Sequence, residues 1–254
     1  MADEDAVHPS AANEALELGG EERVVAWRRK GKEHVYRHVF RRPMDADAVR
    51  FYRARQRAHE DGRFQTSPEM LELYRELIVR VEGYDHSDPQ RVAQGERLVA
   101  VNLLTNVRAA NAWEGEPDPE HDVVALDALW HDAPSGAMKW SRGLLHRFAP
   151  VTKEEEDALQ EKLTRAKVVG GSRTGKTLKA TRERVLIEFY DAQIRSVDGY
   201  SYGGYPVDRH KLPEVMDPFH KVAAVERLLA GALDIELPEA PGEEEETGEL
   251  EEAE

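Results

Sequence analysis

Cysteine is absent from the 254 residues, which excludes disulfides, thiolate metal sites and cysteine nucleophiles. Long apolar runs are absent too. None approaches the ~20 residues of a membrane-spanning helix. The start, Met1-Ala2-Asp3-Glu4-Asp5, lacks the basic and apolar regions of a secretory signal, so the expected location is the cytoplasm. Basic residues are missing from both ends. Residues 1–22 carry seven acids and residues 234–254 carry eleven, with no Lys or Arg in either stretch. These two tails hold 18 of the 50 acids, so the formal charge of −15 belongs to them, and the body between has 32 acids against 35 bases. Both tails are expected to be disordered, because almost nothing in them can be buried.

What is present is a repeat. Asp88-Pro89, followed by Val92-Ala93-x-x-Glu96-Arg97-Leu98, returns as Asp217-Pro218 followed by Val222-Ala223-x-x-Glu226-Arg227-Leu228. Upstream, Glu72-Leu73-Tyr74 to Ile78 and Val81-Glu82-Gly83-Tyr84 return as Glu188-Phe189-Tyr190 to Ile194 and Val197-Asp198-Gly199-Tyr200. Further upstream, His38-x-Phe40 matches His146-x-Phe148. Three matches in one order indicate an internal duplication. The expected organisation is an acidic segment 1–22, a first module 23–110, a connector 111–140, a second module 141–233 and an acidic tail 234–254. The second module has an addition, Ser201 to Pro213, rich in Gly, Tyr and Pro, which reads as an exposed, structured loop.

The expected fold is α+β, predominantly α-helical, with each module a short hairpin or strand followed by about three helices. Residues 23–42 read as a hairpin with a glycine at its turn. Asp45 opens a helix to about Ala58. Ser67-Pro68 opens another, with an apolar stripe through Leu71, Tyr74, Leu77, Ile78 and Val81, stopped by Gly83. Asp88 starts a third. In the connector, Val123 to Leu126 reads as one short strand. In the second module Leu144 to Phe148 is a strand, Thr152-x-x-Glu155 is a capping box, and a long helix runs from about Thr177 to Val197. A last helix spans Pro218 to about Leu233.

Candidate chemistry is sparse. Gly170-Gly171-Ser172-Arg173-Thr174-Gly175-Lys176-Thr177 fits the phosphate-binding pattern G-x-x-x-x-G-K-[ST], in which backbone amides and Lys176 hold phosphates and Thr177 holds magnesium. That site also needs a buried strand before it, and only Val168-Val169 stands there. Nucleotide binding through Gly170, Gly175, Lys176 and Thr177 is therefore the alternative reading. His34 and His38 lie on a predicted strand, roughly 13 Å apart by strand rise, and no third ligand joins them. No metal and no cofactor is expected, and no G-x-S-x-G elbow anchors a serine nucleophile. Residues 23–63 carry thirteen Lys or Arg against five acids, a candidate phosphate-binding face for nucleic acid and a third reading.

Lys30 to Tyr36, leading into Phe40-Arg41-Arg42-Pro43 and a helix with Phe51-Tyr52, resembles the opening of tailed-phage tail-assembly chaperones and related minor tail proteins. The resemblance covers about 30 residues. It implies a virion or host-cytoplasm protein that binds other tail proteins and has no catalytic residue. The favoured reading is thus a non-enzymatic assembly protein with protein partners and capacity for self-association. Tyr202, Tyr205, Arg209 and His210 are the expected contact residues, since tyrosine and arginine anchor interfaces.

Overall fold

Each repeated unit starts with β-branched and aromatic residues in alternation, and the computed structural model shows what that pattern builds. It describes residues 15–28, 34–60, 62, 67–110, 118–132, 137–170 and 181–232. After a short strand, β1 (Leu16–Leu18), the first unit opens with an antiparallel hairpin, β2 (Glu22–Arg28) and β3 (Val35–Arg41). Next come α1 (Asp45–Glu60) and α2 (Pro68–Leu77), where the Ser67 hydroxyl accepts the Met70 amide as the helix cap. Helix α2 passes without a loop into β4 (Ile78–Glu82). The Ile78 amide still donates to the Tyr74 carbonyl, while its φ and ψ of −68° and 129° are already extended. Strand β4 then pairs with β3, giving a sheet in the order β2-β3-β4.

The second unit repeats this chain path. Strands β6 (Asp122–Asp132) and β7 (Ala137–Phe148) form the hairpin, and α4 (Lys153–Gly170) and α5 (Arg182–Gln193) follow. Helix α5 runs straight into β8 (Ile194–Asp198), which pairs with β7. The register agrees residue for residue. His38 faces Val81 and His146 faces Val197; Phe40 faces Ile78 and Phe148 faces Ile194, each after a one-residue shift at the same place. The equivalence extends to the first strands, where Val25 pairs with His38 and Val124 with His146.

Among the described residues there are ten strands in three sheets beside seven α-helices, so the expectation of a predominantly helical fold is wrong. The connector 111–140 was expected to hold one short strand, Val123 to Leu126. It holds all of β6 and the start of β7. The strands β4 and β8 were expected as the last turns of helices. Their β-branched residues, Ile78-Val79-x-Val81 and Ile194-x-x-Val197, pair across a sheet edge instead.

The two units are interlocked. After α3 (Gln94–Asn102), the strand β5 (Val107–Ala109) leaves the first unit and pairs with β6, so the second sheet runs β5-β6-β7-β8. In return the last helix, α7 (Pro218–Ala232), gives Phe219 to the first unit's core, where its ring lies 5.4 Å from Phe51 and 5.9 Å from Tyr52. Arg23 of β2 forms an ion pair with Asp217, whose carboxylate also caps α7 by accepting the Phe219 amide at 2.9 Å. At the same junction Lys221 is 1% exposed. Its ammonium donates to the Pro213 carbonyl at 2.6 Å and lies 2.9 Å from Asp191 and 3.4 Å from Asp45.

Candidate interaction surface and the paired histidine centres

The residues shared by both copies converge on one feature, a buried imidazole bridging two tyrosine hydroxyls. In the first copy, His38 Nδ1 lies 2.9 Å from the Tyr74 hydroxyl and Nε2 lies 2.8 Å from that of Tyr84. In the second, His146 Nδ1 lies 2.9 Å from Tyr190 and Nε2 lies 2.9 Å from Tyr200. The histidine comes from the middle strand. The first tyrosine comes from the helix before the edge strand, and the second follows the glycine after it (Gly83 or Gly199, φ 82° and 81°). Each centre therefore ties a sheet to the helix packed beneath it.

The proton order follows from the end groups. Tyr84 donates to the Glu96 carboxylate at 3.1 Å, a group that only accepts. Its oxygen is then left to accept from Nε2–H of His38, and Nδ1 accepts from Tyr74. In the second copy the Tyr200 hydroxyl also meets His220 Nδ1, at 2.8 Å. One hydroxyl holds one proton, so Tyr200 donates to one imidazole and accepts from the other.

Burial keeps these histidines neutral. It lowers His38 and His220 to about 4 and holds His146 well below its ordinary value. For His220, Asp217 pulls the other way and Arg23 adds to the lowering. The unfolded chain takes up a proton at each of these histidines near pH ~6.5; the folded chain does so only near pH ~4 at His38 and His220, and well below the ordinary range at His146. Their contribution is therefore complete above pH ~6.5 and is lost as pH falls toward ~4, on the order of 3 kcal/mol for each of His38 and His220. Urea midpoints should drop steadily between pH ~6.5 and ~5, above the carboxylate range. A flat profile there would contradict the neutral assignment.

The two imidazoles are closed to solvent: His38 and His146 are fully buried. The open surface lies where the copies differ. The hairpin of β9 (Tyr200–Tyr202) and β10 (Tyr205–Pro206) turns through Gly203 and Gly204, at φ 61° and 79°, the pair of positive angles that a type I′ turn needs. A 3-10 turn over Arg209–Lys211 and α6 (Leu212–Val215) complete the insertion. Its far end is anchored, since Leu212, Val215 and Met216 are buried in the second core. Its near end is exposed, Tyr205 at 75% and Tyr202 at 36%, with Lys211 over the Tyr202 ring and Arg209 and His210 on the surface. The four expected contact residues thus share one exposed segment.

Strand β1 secures this hairpin. It lies inside the stretch read as an acidic tail, and it pairs in parallel with β9. Glu17 accepts hydrogen bonds from the Ser201 hydroxyl and the Gly203 amide, each at 2.5 Å, and from the Gly204 amide at 3.4 Å. The Ser201 hydrogen bond, with the two glycine amides, holds the Glu17 carboxyl below the usual range against the opposing cost of burial. Sequence reasoning missed Glu17, although Leu16-Glu17-Leu18 alternates as a strand does.

The other candidates fare differently. Of the phosphate-loop pattern, Gly170 ends α4, so a helix rather than a strand leads into it; Gly175, Lys176 and Thr177 lie outside the described residues. In the basic segment, Arg37 pairs with Glu82, Arg41 with Asp47, Arg50 with Glu76 and Arg57 with Glu69, beside the Arg23–Asp217 pair. Four of these five acids lie outside residues 23–63, so the segment's own charge overstates the field it presents. Arg29, Lys30, Lys32 and Arg63 lie outside the described residues. His34 is exposed and His38 is consumed by its tyrosines; among the described residues no group of three His, Asp or Glu is placed to hold a metal ion. No described helix is long and apolar enough to cross a membrane. Comparisons with protein-family models, with curated proteins and with solved structures find no match to this chain.

Proposed function

We propose that this chain is a non-catalytic protein-binding component of a larger assembly, and that it engages its partner through the hairpin inserted in the second copy. One observation carries the reading. The polar residues that both copies share at the histidine centres are spent on internal hydrogen bonds, whereas the segment found in one copy presents Tyr202, Tyr205, Arg209 and His210 on an anchored base. A rigid base lowers the ordering cost of binding, and exposed tyrosine and arginine supply anchors. The resemblance of the β2–β3–α1 region to tail-assembly proteins supports a setting in a phage virion or its host's cytoplasm.

The test is affinity capture of the tagged chain from its native source, followed by measurement of Kd with the purified partner. The double variant Tyr205→Ala/Arg209→Ala is expected to weaken binding by a factor of ten or more, with the melting temperature unchanged. Unchanged affinity, or no partner recovered by the unaltered chain, overturns the reading.

A further inference from the structure

The contact between β1 and β9 is built like a recognition site. Leu16, Glu17 and Leu18 pair with Tyr200, Ser201 and Tyr202, and the Leu16 amide donates to the Gly199 carbonyl at 2.8 Å. Leu18 is buried in the second core and Leu16 packs against it. Three donors close on the Glu17 carboxylate. The Tyr202 ring lies against Gly19, whose φ is 84°, and a Cβ at that position would run into the ring. Backbone pairing, apolar seats, a carboxylate hole and a glycine-only position together select an extended segment of the form apolar–glutamate–apolar–glycine.

The occupant now in place is short, a strand of three residues joined to β2 through Gly19 and Gly20. The first copy folds with no counterpart of the β9–β10 hairpin: only three residues lie between Tyr84 and Asp88, which caps the next turn, and among its described residues no strand is added there. The site is thus an addition to the repeated unit. It adjoins the exposed Tyr202 and Tyr205.

We propose that the edge of β9 is a strand-docking site for an extended Leu-Glu-Leu-Gly segment of a partner protein, which displaces β1. This names the chemistry of the partner and rests on the protein-binding reading above. Because β1 is tethered, it competes at a high effective concentration, and disabling it should expose the site.

The probe is a fluorescent synthetic peptide with the sequence of residues 13–20, Asn-Glu-Ala-Leu-Glu-Leu-Gly-Gly. Its binding is measured on the full chain and on Glu17→Lys, whose own strand meets the amide hole with the wrong charge. The peptide is expected to bind Glu17→Lys at least ten-fold more tightly than the unaltered chain. Replacing the glutamate that matches Glu17 by glutamine in the peptide should remove most of that binding. Absence of binding to a Glu17→Lys chain that still melts cooperatively overturns the proposal, and so does equal binding of the glutamine peptide. If Glu17→Lys does not fold, Gly19→Val frees the site by collision with Tyr202, and the same outcomes apply. Failure of the peptide while Tyr205→Ala/Arg209→Ala still loses its partner removes strand docking alone. A partner unaffected by that double variant removes the earlier reading, whatever the peptide does.

Discussion

Lys221→Met is expected to be strongly damaging, costing about 1–3 kcal/mol, because it strips a buried junction of the cation that Asp191 and Asp45 share, while both carboxylates stay partly exposed. The side chain is 1% exposed, and its ammonium is the shared counter-charge of Asp191 and Asp45 and the donor to the Pro213 carbonyl. Methionine fills nearly the same volume, so the loss is electrostatic and not a cavity. Asp191 suffers most. Burial already raises its carboxyl pKa, and Lys221 is the main influence opposing that rise. Without Lys221 the carboxyl has only the water that its partial exposure admits, and its pKa rises further. The companion Asp191→Asn/Lys221→Met should recover part of the loss, because it removes the stranded charge as well. Urea denaturation of the three chains decides the matter. A cost below about 1 kcal/mol for Lys221→Met would mean that the junction is wetter than its burial indicates.

The second large effect is expected at His146→Phe, about 1–3 kcal/mol, from the buried Tyr190 hydroxyl left without its imidazole partner and Tyr200 left with His220 alone. His38→Phe should cost less. Tyr84 keeps Glu96 and borders a groove of about 640 Å³ lined by His34, His86 and Arg91, whereas the second centre is sealed. The triple variant Tyr190→Phe/His146→Phe/Tyr200→Phe removes the hydroxyls together with the imidazole. It should be less destabilised than the sum of its single changes, since no orphaned polar group remains except the His220 Nδ1 that loses Tyr200. Additive costs would show that the three groups do not act as one network.

Much of the local structure was legible because it rests on near-neighbour chemistry. The Ser67-Pro68 start, the Thr152–Glu155 capping box and the β2–β3 hairpin all form where their residues indicate. The ends of α2 and α5 were not legible. Leu77, Ile78 and Val81 suit helical spacing and strand pairing alike, and the partner that decides, β3, is some 40 residues away in sequence. The motif shared by Asp88 and Asp217 also has two outcomes. In the second copy α7 starts at Pro218, with Phe219, His220 and Lys221 all buried. In the first, a 3-10 turn over Pro89–Arg91 comes first and α3 begins at Gln94, with Gln90 and Arg91 facing solvent. Tertiary burial, not the motif, sets where the helix begins. One signal was there to be used: Val24-Val25-Ala26 and Val123-Val124-Ala125 are the repeat that places the second hairpin in the connector. Of the surface, the exposed tyrosines were legible from composition. The strand that holds them was not, because its partner lies some 184 residues away.

The seat of Phe219 has a consequence for how the chain is made. Ribosomes deliver the first unit before the second, yet its core holds an aromatic ring that emerges only after α1 to α6 have been made. Until then Phe51 and Tyr52 lack their cover, and the nascent first half is a client for chaperones or a seed for aggregation. The duplication therefore yields halves that complete each other: a chain cut before α7 leaves the first core open beside Phe51 and removes a helix from the second.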